Sequence, residues 1–163
     1  MDVNLRLATR ANDTEAVKCL IDAGADVDAV DPAGQTAFYW ASSKGRLEVA
    51  KFLEANGANI ETKNKDGKSP MSIAATNGNL AIVQFLLEKG ALVDAADTQG
   101  RTPFYWALSK GHLEVVKVLA ANGSNIEAKD NVGKSPINIA AENGHDDVVQ
   151  FLKQEGVIPS KYY

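Results

Sequence analysis

The chain has few of the residues that build covalent or metal-bound frameworks. It contains one cysteine, Cys19, and two histidines, so the sequence excludes a disulfide framework and a cysteine-based metal site. A single cysteine also fits a reducing compartment. Residues 1–6 contain no apolar stretch of the signal-peptide kind, and no apolar run approaches the roughly 18 residues that cross a bilayer. These absences predict a cytoplasmic or nuclear protein without a membrane span.

The charge of the chain is mild and identifies no partner by itself. The 163 residues carry a formal net charge of −4, with 45% hydrophobic and 23% charged residues. This is an ordinary balance for a globular protein, and the length predicts a single domain over residues 1–163. We expect that domain to be a monomer.

A short phrase of the form Gly-x-(Thr/Ser)-(Pro/Ala) recurs along the chain at a constant spacing. Its first glycines are Gly34, Gly67, Gly100 and Gly133. A period of about 20–50 residues is typical of a solenoid, in which each repeat buries its apolar face against its neighbours. Such a chain is usually a binding surface and seldom a catalyst.

The unit 97–129 shows how one repeat is expected to fold. Thr102 stands where its hydroxyl can cap a helix over residues 104–110, and the proline after it fits the first helical position. Gly111 is expected to end this helix in a left-handed conformation. A second helix is predicted over residues 113–121, and a short polar arm leads into the next turn. The unit is therefore turn, helix, turn, helix, arm.

This pattern resembles the ankyrin repeat, whose signature contains Asp-x-x-Gly-x-Thr-Pro, a Gly-His pair between two helices and a closing Gly-Ala-Asp-Val. The resemblance implies an all-α repeat solenoid of helix-turn-helix units joined by extended turn or hairpin arms. The predicted division is an N-terminal capping repeat, 1–30, three full repeats, 31–63, 64–96 and 97–129, and a C-terminal capping repeat, 130–163. Arg6 and Arg10 place charge on the first helix, as expected for a cap.

A longer period, twice the length of one unit, lies over the shorter one. Units 31–63 and 97–129 are identical at two thirds of their positions, whereas the neighbours 31–63 and 64–96 agree at only about a quarter. The sequence therefore indicates a duplicated pair of repeats. In the first helices Tyr39 alternates with Ser72, which predicts that large and small side chains compensate for each other in volume. A hydrogen bond from a tyrosine hydroxyl to Ser72 or Asn138 is a further expectation.

Two motifs resemble a phosphate-binding site and a metal site, but both are better explained as structural positions of the repeat. The Gly-Lys-Ser sequences at 67–69 and 133–135 end like a phosphate-binding loop, yet the glycine it requires five residues earlier is missing. His112 and His145 occupy the Gly-His slot of two different repeats, with no third metal ligand evident. No set of nucleophile and base is visible. The sequence thus predicts no enzyme, no cofactor and no metal.

The resemblance to ankyrin proteins implies a concave face built from the turn tips and the exposed side of each first helix. Of 27 positions assigned to this face within 31–163, nine are basic and three are acidic. The face is thus positive in a chain that is negative overall. The candidate partner-binding residues are Trp40, Lys44, Lys65, Lys68, Arg101, Trp106, Lys110 and Lys134. The two tryptophans could be binding hot spots or buried spacers of the duplicated module.

The leading hypothesis for function is a non-catalytic protein–protein interaction module that acts as an adaptor, scaffold or inhibitor. Its positive face predicts an acidic partner surface, since complementary potentials speed encounter. The alternative is binding of an anionic polymer or lipid headgroup, such as nucleic acid or a phosphoinositide. Nucleic acid is disfavoured because the net charge is negative and few exposed aromatics are interleaved with the bases.

Overall fold

The computed structural model describes residues 2–157 and contains ten α-helices and no β-strand within them. The last part of the predicted C-terminal capping repeat, residues 158–163, lies outside the described residues. The helices are α1 Asp2–Ala11, α2 Thr14–Asp22, α3 Ala37–Lys44, α4 Leu47–Ala55, α5 Pro70–Thr76, α6 Leu80–Glu88, α7 Pro103–Lys110, α8 Leu113–Ala121, α9 Pro136–Glu142 and α10 Asp146–Gln154.

The helix boundaries follow the capping residues in the sequence. Thr102 is the N-cap of α7, and its side chain accepts a hydrogen bond from the Tyr105 amide, as predicted. The helix begins at Pro103, one residue earlier than expected. Gly111 ends it in the left-handed region, with φ of 73°, which confirms the prediction for this glycine. The second helix, α8, has the predicted bounds.

The helices pack in two rows that share one buried core. The first helices of successive units, α1, α3, α5, α7 and α9, form one row, and the second helices, α2, α4, α6, α8 and α10, form the other. Neighbours in the first row pack against each other more closely than neighbours in the second. A stack whose rows differ in this way curves toward the closer row. The first helices therefore lie on the concave side.

Each turn tip is built around one Asp or Asn. In the unit 97–129, Asp97 Oδ1 accepts hydrogen bonds from the amides of Gln99 and Arg101 at 2.9 and 3.0 Å. The same pair of bonds forms at Asp31, Asn64 and Asp130. Such local bonds fold the tip without help from a sheet. Neighbouring tips are then joined by single backbone bonds, so their side chains form one continuous row.

Tyr39 bonds to the turn tip of the next unit rather than to Ser72 on the facing first helix. The Tyr39 hydroxyl accepts a hydrogen bond from Asn64 Nδ2 at 3.3 Å. Ser72 instead bonds to the Ser69 hydroxyl and to the carbonyl of Ala95. The expected bond between Tyr39 and Ser72 is therefore wrong. The phenol ring carries the hydroxyl from α3 to the turn tip that precedes α5.

The Gly-His slot joins neighbouring repeats, which confirms its structural reading. His112 Nε2 lies 3.0 Å from the carbonyl oxygen of Thr76, and His145 Nε2 lies 3.1 Å from that of Ser109. These carbonyls belong to the last turn of the preceding unit's first helix, where no partner exists within the helix. The slot residue therefore satisfies a helix end in the neighbouring repeat.

The two arginines of α1 are both used inside the fold. Arg6 Nη1 donates to the carbonyl of Ala29 at 3.1 Å, and the guanidinium of Arg10 lies over the ring of Trp40. Val3 and Leu7 of the same helix are 61% and 53% exposed. Arg6 thus bonds within its own unit, and Arg10 contacts the next unit. The assignment of capping repeats stays a prediction.

Candidate partner-binding face

All eight predicted site residues lie on the first-helix side of the molecule. Lys65, Lys68, Arg101 and Lys134 are in the turn tips that precede α5, α7 and α9, and Lys44 and Lys110 are the last residues of α3 and α7. Trp40 and Trp106 lie within α3 and α7. We call the six cations together the basic face. Of the eight residues, Lys44, Lys65 and Lys110 are exposed, and the other five are half-buried.

Trp106 is the centre of the most concentrated part of this face. The Lys68 ammonium nitrogen lies 3.4 Å from the ring centroid, and the Arg101 guanidinium carbon lies 4.3 Å from it. Lys68 comes from the tip of the preceding unit, so the cluster spans a junction between two repeats. A cation over an indole ring is held by about 0.5–2 kcal/mol, depending on its exposure to water. The ring thus positions both cations.

Asp97 fixes the other edge of this cluster. Its Oδ2 accepts hydrogen bonds from the Trp106 indole N–H at 3.1 Å and from Arg101 Nε at 3.0 Å. With the two backbone bonds to Oδ1, this carboxylate accepts four hydrogen bonds, which uses its whole lone-pair capacity. Its side chain has no exposed surface. Asp97 therefore organises the tip but offers no further acceptor to the neighbouring lysine.

The electrostatics of Lys68 reflect this crowding. Burial lowers the pKa of Lys68, and the nearby positive charges of Arg101 and Lys110 lower it further. The carboxylates of Asp97 and Asp66 act in the opposite direction but do not outweigh these effects. The structure therefore brings Lys68, Arg101, Lys110 and Trp106 into one electrostatically coupled group. An anion placed among the cations would relieve their mutual repulsion.

The tip around Trp40 is built on a similar plan with fewer cations. The Trp40 indole N–H points to Asp31 Oδ2 at 3.4 Å, and the guanidinium carbon of Arg10 lies 4.4 Å from the ring centroid. Arg10 was not predicted for this face. A signal was available, because Arg10 lies about one repeat before Trp40. Its side-chain direction, however, depends on how the first unit packs. Both tryptophans are thus half-buried floors beneath cations.

The remaining predicted residues are not gathered at either tryptophan. Lys134 forms an ion pair with Glu142 at the following first helix, so its charge is compensated locally. Lys44 and Lys65 are exposed and make no ion pair within residues 2–157. These lysines contribute potential to the basic face without a fixed geometry.

Carboxylates in the arms of successive units form a series that sequence reasoning missed. Asp28 accepts from the amide of Asn59 at 2.9 Å, Glu61 from the amide of Leu92 at 2.8 Å and Asp94 from the amide of Asn125 at 2.9 Å. Each acid lies in the arm of one unit, and its partner lies in the arm of the next. The spacing was visible in the sequence, but the pairing depends on how arms stack. These acids therefore link the arms of successive units.

Other features of the described region bear on what the face can do. Within residues 2–157 there is no group of three or more His, Cys, Asp or Glu side chains that could hold a metal ion. No helix in this part of the chain is long and apolar enough to span a membrane.

The architecture defines a solenoid of stacked helix pairs, with a row of turn tips that precede the first helices. The family model for ankyrin repeats, in three copies, matches residues 5–97, 53–130 and 92–161. The chain belongs to the ankyrin repeat family. Ankyrin repeats are general protein–protein interaction modules, and the family is typically non-catalytic. A search of curated proteins found no significant match to the chain.

Proposed function

We propose that this chain is a non-catalytic adaptor, scaffold or inhibitor that binds an acidic protein surface on its basic face. It acts as a monomer in the cytoplasm or nucleus. The observation that carries the proposal is a set of cations on the turn tips and first-helix ends, on one side of the molecule. Three of these cations, Lys44, Lys65 and Lys110, are exposed.

The availability of the cations supports this function. Lys44, Lys65 and Lys110 are exposed, and none of them makes an ion pair within the described residues. Exposed charges of one sign raise the rate of encounter with an oppositely charged surface, and they disfavour partners of like charge. Three unpaired lysines on one face therefore favour an acidic partner and give its association a strong dependence on ionic strength.

The rigidity of the tips also supports this function. Each tip is folded by bonds from its own Asp or Asn, and neighbouring tips are linked through the backbone. Side chains on such a row keep their spacing when a partner binds, so little ordering entropy is lost. A row of fixed tips matches an extended protein surface better than a small molecule, for which an enclosed pocket is the usual site.

The experiment is a capture assay with a charge-reversed face. Lys44→Glu, Lys65→Glu and Lys110→Glu are combined in one variant, and proteins retained from a cell extract are quantified against the wild type. Lys68, Arg101 and Lys134 stay unchanged, since each is tied to a half-buried internal contact and its reversal would disturb the fold. We expect the variant to lose the specific partner while its circular dichroism and melting temperature stay close to wild type.

A matched control separates the position of the charges from their number. Lys18, Lys51 and Lys117 lie on second helices, their side chains are 44–49% exposed, and each pairs with a glutamate three residues earlier. Reversing these three lysines gives the same net charge as the face variant and removes surface pairs that contribute only about 0.3–0.5 kcal/mol each. Retention of the partner by the face variant, or its equal loss from both, contradicts the proposal. Capture of nucleic acid or anionic lipid in place of a protein favours the alternative function.

A further inference from the structure

The two halves of the duplicated module have diverged at their tryptophans. Trp40 and Trp106 occupy equivalent positions two repeats apart. The residue equivalent to Arg101 in the first half is Gln35, and the residue equivalent to Lys68 is Asp2, whose carboxylate accepts from the amide of Asp26. The first half therefore lacks both cations that cover Trp106. Of the two tryptophan sites, only the one at Trp106 combines Arg101 and Lys110 with a cation from the preceding unit, Lys68.

The cations at Trp106 keep their hydrogen-bond donors available. Within residues 2–157, Arg101 makes a side-chain hydrogen bond through Nε alone, which leaves the two terminal nitrogens of its guanidinium unbonded. The ammonium of Lys68 makes no hydrogen bond in the same region, since it rests on the ring of Trp106. The guanidinium presents its donors in a planar fork that matches the two oxygens of a carboxylate. Both cations are already positioned, so an anion can bind without reordering them.

The positive charges around Trp106 are not fully balanced by the neighbouring carboxylate, so the site can bind an anion. Asp97 is the nearest buried counter-charge, and its four hydrogen bonds are all taken by the tip, Arg101 and the indole. Burial and the adjacent cations lower the pKa of Lys68, so bringing a carboxylate to the site would stabilise its charged form. Lys110 adds positive potential without entering the contact.

From this geometry we propose that Lys68, Arg101 and Trp106 form an anchor for a side-chain carboxylate within an acidic peptide segment of the protein partner. The Arg101 fork binds the carboxylate through two N–H donors, and Lys68 donates from its position over the Trp106 ring. The anchor lies at the junction of units 64–96 and 97–129, and the equivalent junction at Trp40 lacks it. This inference rests on the proposed function, because it names the point on the basic face that fixes the partner's position.

The test uses a hexaglutamate peptide and the fluorescence of one tryptophan. The chain has two tryptophans, so Trp40→Phe leaves Trp106 as the sole indole reporter. A carboxylate bound to Lys68 and Arg101 brings a negative charge close to the indole and changes the emission of Trp106. We expect a saturable change on addition of hexaglutamate and a much smaller one with hexaserine. In the reciprocal Trp106→Phe variant, Trp40 should report little change.

Substitutions at Arg101 and Lys68 give the decisive comparison. Arg101→Gln places in the second half the residue that the first half carries at the same point of its tip, so the fold should tolerate it. A charge-assisted hydrogen bond is worth about 1.5–3 kcal/mol, so Arg101→Gln or Lys68→Gln should weaken hexaglutamate binding by about tenfold or more. Arg101→Lys keeps the charge and loses the fork, and should lose a large part of the same affinity. Lys51→Gln on α4 is the matched neutralisation and should change affinity less than about twofold.

The outcomes separate this inference from the proposed function. If hexaglutamate binds but Trp106 emission stays constant, or if Arg101→Gln and Lys51→Gln have equal effects, the anchor is overturned while the basic face stands. Equal binding of Arg101→Lys and wild type would overturn the bidentate fork. Failure of hexaglutamate to bind also overturns the anchor, while the capture assay with reversed Lys44, Lys65 and Lys110 decides the proposed function independently. Binding of heparin or phosphoinositide vesicles at Trp106, without binding of hexaglutamate, would likewise overturn it.

Discussion

Replacing Gly111 by alanine should destabilise the fold through two separable effects. Gly111 has φ of 73°, in the region where a side chain costs about 1–2 kcal/mol. A Cβ at this position would also lie 2.5 Å from Nδ1 and 2.7 Å from Cε1 of His145. That ring would have to move, which breaks its contact with the Ser109 carbonyl at 3.1 Å and costs about 1 kcal/mol more. We expect a total loss of about 2–3 kcal/mol.

Gly144 provides the matched control for backbone strain alone. Its φ is 75°, and a Cβ there would meet no atom within 4 Å. Gly144→Ala should therefore lose only the contribution of the left-handed backbone, about 1–2 kcal/mol. Urea unfolding followed by circular dichroism measures both variants under the same conditions. Combining Gly111→Ala with His145→Ala removes the steric conflict, so the double loss should be smaller than the sum of the single losses. Equal losses for the two glycines, or strict additivity with His145→Ala, would refute the assigned contact.

Three further predictions concern Tyr39. Tyr39→Phe removes the acceptor for Asn64 Nδ2 in a buried setting, so chemical denaturation should show a loss of about 1–3 kcal/mol, and an unchanged midpoint would contradict that bond. Burial raises the pKa of Tyr39 to about 12 from its usual 10.0. The neutral phenol therefore stabilises the fold fully below pH 10, and this contribution is lost as the pH rises to about 12. The melting temperature should fall more steeply over this pH range for wild type than for Tyr39→Phe. Tyr39→Ser and Ser72→Tyr should each lower the free energy of unfolding by about 1–5 kcal/mol. The double variant should recover part of this loss, because the volumes of the two side chains compensate. Strictly additive losses would contradict that compensation.

The fold was readable from the sequence because its signals are local and repeated. Thr102 caps a helix that begins beside it, and Gly111 ends the same helix, so both roles depend on residues a few positions away. The bounds of α8 follow from the apolar pattern of its own residues. Because the phrase recurs at a constant spacing, the fold predicted for one unit applies to the others and predicts a solenoid for the chain.

The contacts of the site were harder to predict, because they join residues of different units. Arg10 lies over Trp40, and Lys68 reaches Trp106 from the preceding tip. The sequence placed these residues in the correct repeat but gave no direction for their side chains. The same limit explains the misplaced partner of Tyr39. Candidate residues can be read from repeat position, whereas their grouping around Trp106 requires the stacking of neighbouring tips.

The association rate of the captured partner tests the central claim most directly. Rate constants are measured by surface-based binding at several salt concentrations for wild type, the variant with reversed Lys44, Lys65 and Lys110, and the control with reversed Lys18, Lys51 and Lys117. If the basic face binds an acidic surface, the face variant should associate about tenfold or more slowly than wild type at low salt, and the difference should shrink as salt rises. The control should stay within about twofold of wild type. Equal association rates for the two variants, or a rate for wild type that does not depend on salt, would contradict the account.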